Sequence, residues 1–278
     1  MVGDCHWPPK VVSLEHFVSE IAWMYETLEV SLQEGIGTLW LNRPDKLNAL
    51  SQQTLRDLTN AARWFDEQSE TRVVIVGGRG KAFSSGADLS DFPDAHESGA
   101  RNAADIGRVM AEAIEGMTAL TIARIHGWCV GGGLVLAAAC DLRVATDTAR
   151  FSIPEVDLGI PLAWGGIPRL VREIGPALTK ELVVTCRPFD SQEALAAGFL
   201  NRVVKAEDLD QTVKTLAEQI AARPANPVAV TKRHVNAVTS QMTGTMRSWS
   251  DADSLLAAML DPECVASREA YIKARRRK

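Results

Sequence analysis

Short apolar segments that end in glycine-rich turns recur along this chain, and they constrain its fold more than any other feature. Val73–Val76 is a run of β-branched residues that leads into a glycine-rich loop. Leu120–Ile125 is a second such run, followed by the glycine-rich turn Gly127–Gly133 and the apolar helical segment Leu134–Cys140. A further strand, Leu142–Ala145, comes next. Because strands that alternate with helices pack as a sheet covered by helices, the sequence up to about residue 204 predicts an α/β fold.

The segments on either side of this region predict a hairpin before it and helices after it. Thr27–Leu32 and Thr38–Leu41 are strand-like and are joined by the turn Glu34-Gly35. Ser51 can cap the helix that follows the hairpin. After residue 205 no strand is predicted, and the pattern favours four amphipathic helices: Leu209–Ala222, Pro227–Val238, Asp251–Leu260 and Ala266–Arg276.

We therefore divide the chain into an N-terminal extension (1–25), a core (26–205) and a helical region (206–278). In the extension, apolar residues recur at helical spacing and predict a helix; they are Leu14, Phe17, Val18, Ile21 and Met24. No low-complexity linker separates the core from the helical region, so we expect the two to be continuous. The last helices form a thin layer, which needs a larger surface to pack on, either the core or a neighbouring subunit.

Composition excludes several classes of protein. The chain has 278 residues, 46% hydrophobic and 23% charged, and it is long enough to bury a core without disulfides or metal. A net charge of −5 argues against nucleic acid as the main partner. The chain has five cysteines, an odd number, and no CxxC pair, so the sequence indicates neither a disulfide framework nor a zinc site. Lacking a signal peptide pattern or a membrane-spanning run, the sequence predicts a cytoplasmic protein without a membrane partner.

Two glycine-rich turns are the first candidates for a ligand site. The turn Gly78–Asp88 matches no dinucleotide-binding fingerprint, phosphate-binding loop or nucleophile elbow, and a plain strand-to-helix turn explains it equally well. Gly131–Gly133 stands directly before an apolar helix, where backbone amides are free to approach a group that develops negative charge. Close packing of this triplet against another helix is the alternative explanation.

Taken in order, a larger set of motifs resembles the crotonase (enoyl-CoA hydratase/isomerase) superfamily over roughly residues 27–275. The motifs are L-N-R-P-D-K-L-N-A-L at 41–50, A-F-S-S-G-A-D-L at 82–89, H-G-W-C-V-G-G-G at 126–133, C-D-L-R-V-A at 140–145, F-S-I-P-E at 151–155, L-G at 158–159 and G-G-I-P-R-L at 165–170. The resemblance implies a spiral of repeated ββα units followed by a C-terminal helical oligomerisation region, assembled as a homotrimer or homohexamer. It also implies an acyl-CoA thioester as ligand, with no metal and no cofactor beyond the coenzyme A of the substrate.

The same resemblance assigns residues to the thioester and to coenzyme A. The amides of Ala87 and Gly132 would bind the thioester oxygen, which gains negative charge when a neighbouring proton is removed or a nucleophile adds to the conjugated double bond. Tyr271 and Arg275 match a terminal pattern found near the CoA phosphates of a neighbouring subunit; a solvated basic tail is the competing explanation for Arg275–Lys278. The remaining expected substrate-binding residues are Lys46, Leu47, Ser85, Leu89, Gly131, Val135 and Trp164, the last as a wall of the acyl pocket.

The acid and base residues distinguish the reactions of this superfamily. Hydratases that it resembles use two glutamates, and this chain keeps the second as Glu155 but has Val135 at the first position. Valine cannot carry a proton, so the departure puts hydratase activity in doubt. An apolar residue at this position resembles the pattern of Δ3-Δ2 enoyl-CoA isomerases, in which one glutamate moves a proton from C2 to C4. A salt-bridged surface carboxylate is the alternative for Glu155.

Several alternatives remain open in the sequence. Glu112 or Glu115, on a helix over about 102–117, could replace the missing acid of a hydratase, and Asp157 is a further place to look. An acyl-CoA-binding protein with little catalysis is the third possibility. Ala163 stands where related dienoyl-CoA isomerases and hydroxyisobutyryl-CoA hydrolases carry an aspartate, which makes both reactions less favoured. We expect His126 to be structural, and Asp141 and Arg143 to form a pair or hydrogen bonds.

Overall fold

The computed structural model describes residues 21–92, 95–248 and 250–275. Its strands are β1 (Ile21–Met24), β2 (Leu28–Gln33), β3 (Ile36–Leu41), β4 (Val73–Gly78), β5 (Leu120–Ile125), β6 (Trp128–Val130), β7 (Leu142–Thr146), β8 (Arg150–Ser152), β9 (Phe189–Asp190) and β10 (Arg202–Val204). Its α-helices are α1 (Gln52–Glu67), α2 (Ala100–Gly116), α3 (Gly132–Ala139), α4 (Gly166–Thr185), α5 (Ser191–Ala196), α6 (Leu209–Ala221), α7 (Ala225–Thr243), α8 (Asp251–Leu260) and α9 (Pro262–Arg275).

The main sheet has the strand order β1-β2-β3-β4-β5-β7-β10. It begins as an antiparallel meander, and β3, β4, β5, β7 and β10 then run parallel to one another. The predicted hairpin is confirmed, because Glu34 and Gly35 both take the positive φ that a two-residue turn needs (50° and 79°). Ser51 caps α1, since its hydroxyl accepts the amide of Thr54 at 3.2 Å.

Helices cover both faces of this sheet, which confirms the predicted α/β fold. α1, α2 and α3 pack with the larger apolar core on one face, where α3 is buried along its whole length. On the other face, α6 places Leu209, Val213 and Ala217 against Val73 and Ile122. Every residue of β4 is buried, which explains why its sequence is a continuous apolar run without alternation.

A small second sheet forms beside the glycine-rich turns. β6 pairs in parallel with β8, and β8 pairs antiparallel with β9. β6 lies within Gly127–Gly133, so the prediction of an uninterrupted turn there was wrong: Trp128–Val130 is extended between Gly127 and Gly131. An isolated bridge between Ser84 and Cys129 joins this sheet to the loop that follows β4.

The helical region after residue 205 is confirmed as helical in the part of the chain that the structure describes, with boundaries shifted by up to five residues. α6 packs on the sheet, whereas α7 has Lys232 as its single buried residue. α8 packs against α2, and α9 packs against α8. The helix predicted around Ile21 and Met24 was wrong at those positions, because Ile21–Met24 pairs with β2 as a strand. Residues 1–20 of the extension and residues 276–278 of the basic tail lie outside the described residues.

Among the described helices, none combines the length and the apolar character needed to cross a bilayer.

Candidate active site

Two backbone turns from distant parts of the chain meet at one point. Asn48, in the left-handed region at φ 55°, donates from its side-chain amide to the carbonyls of Arg79 and Ala82, each at 2.8 Å. The Ser84 hydroxyl donates to the Asn48 carbonyl at 2.8 Å and accepts the Gly86 amide at 3.2 Å. These bonds hold the segment around residue 48 and the loop over 79–88 as one unit.

Gly86, in the loop over 79–88, allows that unit to approach the turn Gly131–Gly133 at the start of α3. A methyl group at Gly86 would lie 2.8 Å from the Val130 carbonyl oxygen and 3.6 Å from the Gly132 amide nitrogen. Gly86 itself has φ +91°, which favours glycine there for a second reason. Gly132 opens α3, so its amide has no intrahelical partner. Within the described residues, the amides of Ala87 and Gly132 donate to no backbone carbonyl.

Glu155 is buried beside this pair of turns. Glu155 is only 8% exposed, and its Oε2 atom has no hydrogen-bond partner among the described residues. Burial raises the pKa of its carboxyl group to about 7. A methyl group at Gly131 would overlap Glu155 Oε1, so the first glycine of the triplet makes room for the carboxyl group. The carboxyl group is therefore held close to the turn, unpaired, with a pKa near neutrality.

Two connected spaces surround Glu155. An inner cavity of about 40 Å³ lies between the start of α3 and the loop over 160–164. An outer cleft of about 210 Å³ leads away from it toward α9. Both spaces are lined by Ala87, Phe92, Glu155 and Ile160, so Glu155 stands at the junction between them.

The structure brings most of the predicted site residues to these two spaces. Gly132, Val135 and Trp164 line the inner cavity, and Ser85, Leu89 and Gly131 line the outer cleft. Lys46 and Leu47 line neither space. Their carbonyls accept hydrogen bonds from Ser85, through its hydroxyl at 3.3 Å and its amide at 2.9 Å respectively, so they flank the cleft behind Ser85.

The acids considered as replacements for the missing glutamate lie elsewhere. Glu115 is ion-paired with Arg169 and Arg172, each at 2.5 Å. Burial alone would raise its pKa, but these two guanidinium groups outweigh burial and lower it. Glu112 pairs with Arg108 at 2.7 Å, and Asp157 is exposed. None of the three carboxyl groups lines the inner cavity or the outer cleft.

The outer cleft contains a second carboxyl group, Asp88, which is already engaged. Burial opposes its ionisation, but hydrogen bonds from Ser90 and Arg43 prevail and lower its pKa. The Arg43 guanidinium is 2.9 Å from its carboxylate. Glu155 is thus the one carboxyl group that lines the inner cavity, among the residues that the structure describes.

Other polar residues of the motifs serve the fold. His126 contacts the Gly80 carbonyl through Nε2 at 2.9 Å and lines neither space. The expected pair of Asp141 with Arg143 was wrong: Asp141 pairs with Lys232 and Arg143 with Glu173, at 2.8 and 2.6 Å. Both side chains also make hydrogen bonds, as expected; Arg143, for example, donates to the Cys140 carbonyl at 2.6 Å.

Three residues of the site could not be found from local patterns, and a fourth lies in a place that differs from the expected one. Phe92, Leu162 and Leu255 line the inner cavity, and Tyr271 lines the outer cleft of its own chain. Tyr271 had been expected near a neighbouring subunit's ligand. Leu255 stands far along the chain from the glycine turns, and only the amphipathic pattern of its helix marked it for burial.

The rest of the described chain offers a larger cavity but no metal centre. No group of three His, Cys, Asp or Glu side chains there is arranged to hold a metal ion. A larger cavity of about 910 Å³ lies between α4 and α7, but it shares no lining residue with the inner cavity or the outer cleft. The unpaired buried carboxyl group and the free amides therefore mark the smaller pair of spaces as the candidate active site.

Comparison with known proteins shows which family the sequence and the fold resemble. The sequence profile described as Enoyl-CoA hydratase/isomerase matches residues 31–276. The probable enoyl-CoA hydratase echA8 of Mycobacterium tuberculosis is 37% identical over 215 residues, which cover 76% of this chain and 82% of the relative. The crotonyl-CoA hydratase of Syntrophomonas wolfei is 34% identical, with the same coverage.

Solved structures show the same similarity. An enoyl-CoA hydratase/isomerase from Xanthobacter autotrophicus has a TM-score of 0.80 and 28% identity, and the match covers 92% of this chain and 94% of that one. A probable enoyl-CoA hydratase from Mycobacterium smegmatis has a TM-score of 0.75 and 31% identity, covering 84% and 94%. The predicted spiral fold is confirmed by these neighbours.

Proposed function

The chain belongs to the enoyl-CoA hydratase/isomerase family, and from that membership we propose that it is an acyl-CoA-processing enzyme that shifts the double bond of a 3-enoyl-CoA to the 2-position through Glu155. Family membership supports the acyl-CoA thioester as substrate. The single unpaired carboxyl group at the inner cavity supports the isomerisation, and it is the observation on which this proposal depends.

In this proposal the amides of Ala87 and Gly132 hold the thioester oxygen. Both amides are free of backbone partners within the described residues, and the Gly132 amide stands at the positive end of α3. Removal of a proton from C2 moves negative charge onto this oxygen. Two fixed donors that need no reorganisation can lower the barrier by several kcal/mol, about 3 for each donor.

Glu155 carries the proton between C2 and C4. Its carboxylate takes the C2 proton, the C2–C3 double bond forms, and the C3–C4 double bond opens as C4 takes the proton back. A base is most effective when its pKa is close to the working pH, and burial brings the pKa of Glu155 to about 7. The absence of a hydrogen-bond partner at Oε2 leaves that atom available to the substrate.

Val135 supports isomerisation over hydration. It is fully buried and lines the same cavity as Glu155, so the position that would hold a second acid offers only methyl groups. Hydration requires a base for water and a proton for carbon, which two carboxyl groups provide together. Glu112, Glu115 and Asp157 lie away from the cavity, and Asp88 is paired with Arg43.

We further propose that coenzyme A lies along the outer cleft. Ser85, Leu89 and Gly131 line this cleft, with Lys46 and Leu47 behind Ser85. The pantetheine arm would pass Ala87 on its way to the inner cavity. Assembly as a trimer or hexamer belongs to the same proposal.

Hydration of a 2-enoyl-CoA is the second candidate, because the curated relatives described above are named as hydratases. The test incubates the protein with a 3-enoyl-CoA and, in a separate reaction, with a 2-enoyl-CoA in ¹⁸O-labelled water. We expect conjugated 2-enoyl product from the first and no labelled 3-hydroxyacyl product from the second. Rapid labelling without isomerisation would favour the hydratase.

A binding measurement distinguishes an enzyme from a protein that only binds acyl-CoA. It also tests the assignment of acyl-CoA as the ligand. Calorimetry with saturated acyl-CoA thioesters, which cannot react, should show a bound complex. A complex without turnover of either enoyl substrate would indicate an acyl-CoA-binding protein, and no binding at millimolar ligand would reject the acyl-CoA assignment.

A further inference from the structure

The side chain of Trp164 is held in an unusual place. It lines the inner cavity, and its ring lies against the positions of two glycines, Gly107 on α2 and Gly132 on α3. A methyl group at either glycine would overlap the ring. The indole is therefore seated between two helices, in space that only these glycines leave open.

The backbone at this position is also strained. Trp164 has φ +61°, in the left-handed region that bulky side chains rarely adopt. Such a conformation is unfavourable for a bulky side chain and persists only where the surroundings impose it. Arg169 donates to the carbonyls of Trp164 and Gly165 at 3.3 and 3.1 Å, and the Gly165 amide donates to Asp251 at 2.8 Å. These bonds fix the turn that aims the indole at the cavity.

The volume of the inner cavity limits how many carbons of an acyl chain fit in front of Trp164. A group the size of a water molecule needs a cavity volume of about 10–15 Å³, so the inner cavity of about 40 Å³ holds roughly three such groups. A methyl or methylene group is of similar size. With the thioester carbon at Ala87 and Gly132, the inner cavity would accept roughly three further carbons before the chain meets its far wall.

From this geometry we propose that Trp164 limits the substrate to short acyl chains of about four carbons, by closing the path between α2 and α3. This inference rests on the proposed acyl-CoA function. The other walls of the inner cavity are aliphatic or small, apart from Phe92 and Glu155. The Trp164 ring lies against a glycine of each helix, so its removal would lengthen the cavity in that direction.

The experiment measures the affinity of the protein for butanoyl-, hexanoyl-, octanoyl- and decanoyl-CoA by calorimetry. A chain that must be forced past a closed wall loses affinity by about tenfold or more. We expect wild type to bind decanoyl-CoA at least about tenfold more weakly than butanoyl-CoA, and Trp164→Gly to reduce the ratio of these two dissociation constants to less than about threefold. Glycine suits the positive φ, which favours folding of this variant.

Two further variants make the result specific. Trp164→Leu keeps an apolar side chain in the seat and should move the preference only to hexanoyl-CoA. Trp128→Ala removes an indole that is 44% exposed and lines neither space, and it should keep the wild-type profile. Melting curves establish that each variant is folded, and Trp164→Leu serves as the test if Trp164→Gly does not fold.

The outcomes separate this inference from the function on which it rests. Equal affinity of wild type for all four thioesters, or an unchanged profile in folded Trp164 variants, would overturn the role of Trp164 and leave the acyl-CoA function standing. No binding of any thioester would overturn both. A profile that depends on Trp164 in a protein without isomerase activity would retain the inference and reject the isomerisation.

Discussion

The carboxyl group of Glu155 has the clearest expected effect on activity. In Glu155→Gln the amides of Ala87 and Gly132 remain in place, but the side chain can no longer accept and return a proton. We expect kcat for a 3-enoyl-CoA to fall by about 10²–10⁴ and the Kd for a saturated acyl-CoA to change little. Steady-state kinetics and calorimetry give the two values. An unchanged rate would place the base elsewhere.

The same carboxyl group should make stability depend on pH. The folded protein holds the Glu155 proton up to a pKa of about 7, whereas the unfolded chain releases it near the ordinary value of 4.5. Between these values the folded state binds more protons, so the free energy of unfolding falls as pH rises through this window. The full loss is on the order of 3 kcal/mol.

Glu155→Gln cannot ionise and should escape this loss. The melting temperature of Glu155→Gln minus that of wild type should therefore be larger at about pH 8 than at about pH 5. Wild-type isomerase activity should show the opposite trend, rising with pH as the carboxylate forms and levelling above about 7. A stability difference that is the same at both pH values would mean that Glu155 is not desolvated in solution.

Among the helices, α7 is joined to the core by an ion pair whose lysine is buried. Lys232 is its single buried residue, and its ammonium group lies 2.8 Å from both the Asp141 carboxylate and the Ala119 carbonyl. Asp141 also accepts the amide and the hydroxyl of Thr121, at 2.7 and 2.8 Å. The pair therefore joins α7 to the start of β5 and the end of α3.

Lys232→Ala should destabilise the protein by about 1–3 kcal/mol, because the Ala119 carbonyl and the partly exposed Asp141 carboxylate lose their buried cationic partner. Denaturant unfolding measures this loss. Arg233→Ala changes the adjacent exposed residue and should stay within about 0.5 kcal/mol of wild type. Equal stability of the two variants would show that α7 is held by something other than this pair.

The molecule as a whole leaves an apolar surface on α7. Val230, Val235, Val238 and Met242 are between 45% and 79% exposed. Exposed apolar groups gathered on one helix are typical of an interface. The family resemblance implies a trimer or a pair of trimers, so sedimentation should show a species of about three or six protomers. Val235→Lys should shift this species toward smaller ones, and a wild-type monomer would contradict the expected assembly.

Local patterns were sufficient for most strands, helices and motif positions. The continuous apolar run of β4, the two-residue turn at Glu34-Gly35 and the cap at Ser51 depend on residues a few positions apart, and the structure has all three. Backbone turns likewise follow local rules, so the sequence motifs predicted that Ala87, Gly132 and Glu155 share one site, and all three line the inner cavity. The pattern around Ile21 was misleading, because partner strand β2 overrides a weak helical spacing.

Other features depend on contacts between residues that are distant in sequence. The sequence offers both Glu115 and Glu155 as candidate acids, but folding brings Arg169 to the first and leaves the second buried without a partner. The seat of Trp164 requires Gly107 and Gly132 from separate helices. A carboxyl group's pKa and a cavity's length arise from everything packed around them. Only the folded chain, which assembles those surroundings, leaves the Glu155 carboxyl group buried without a partner and seats Trp164 between two helices.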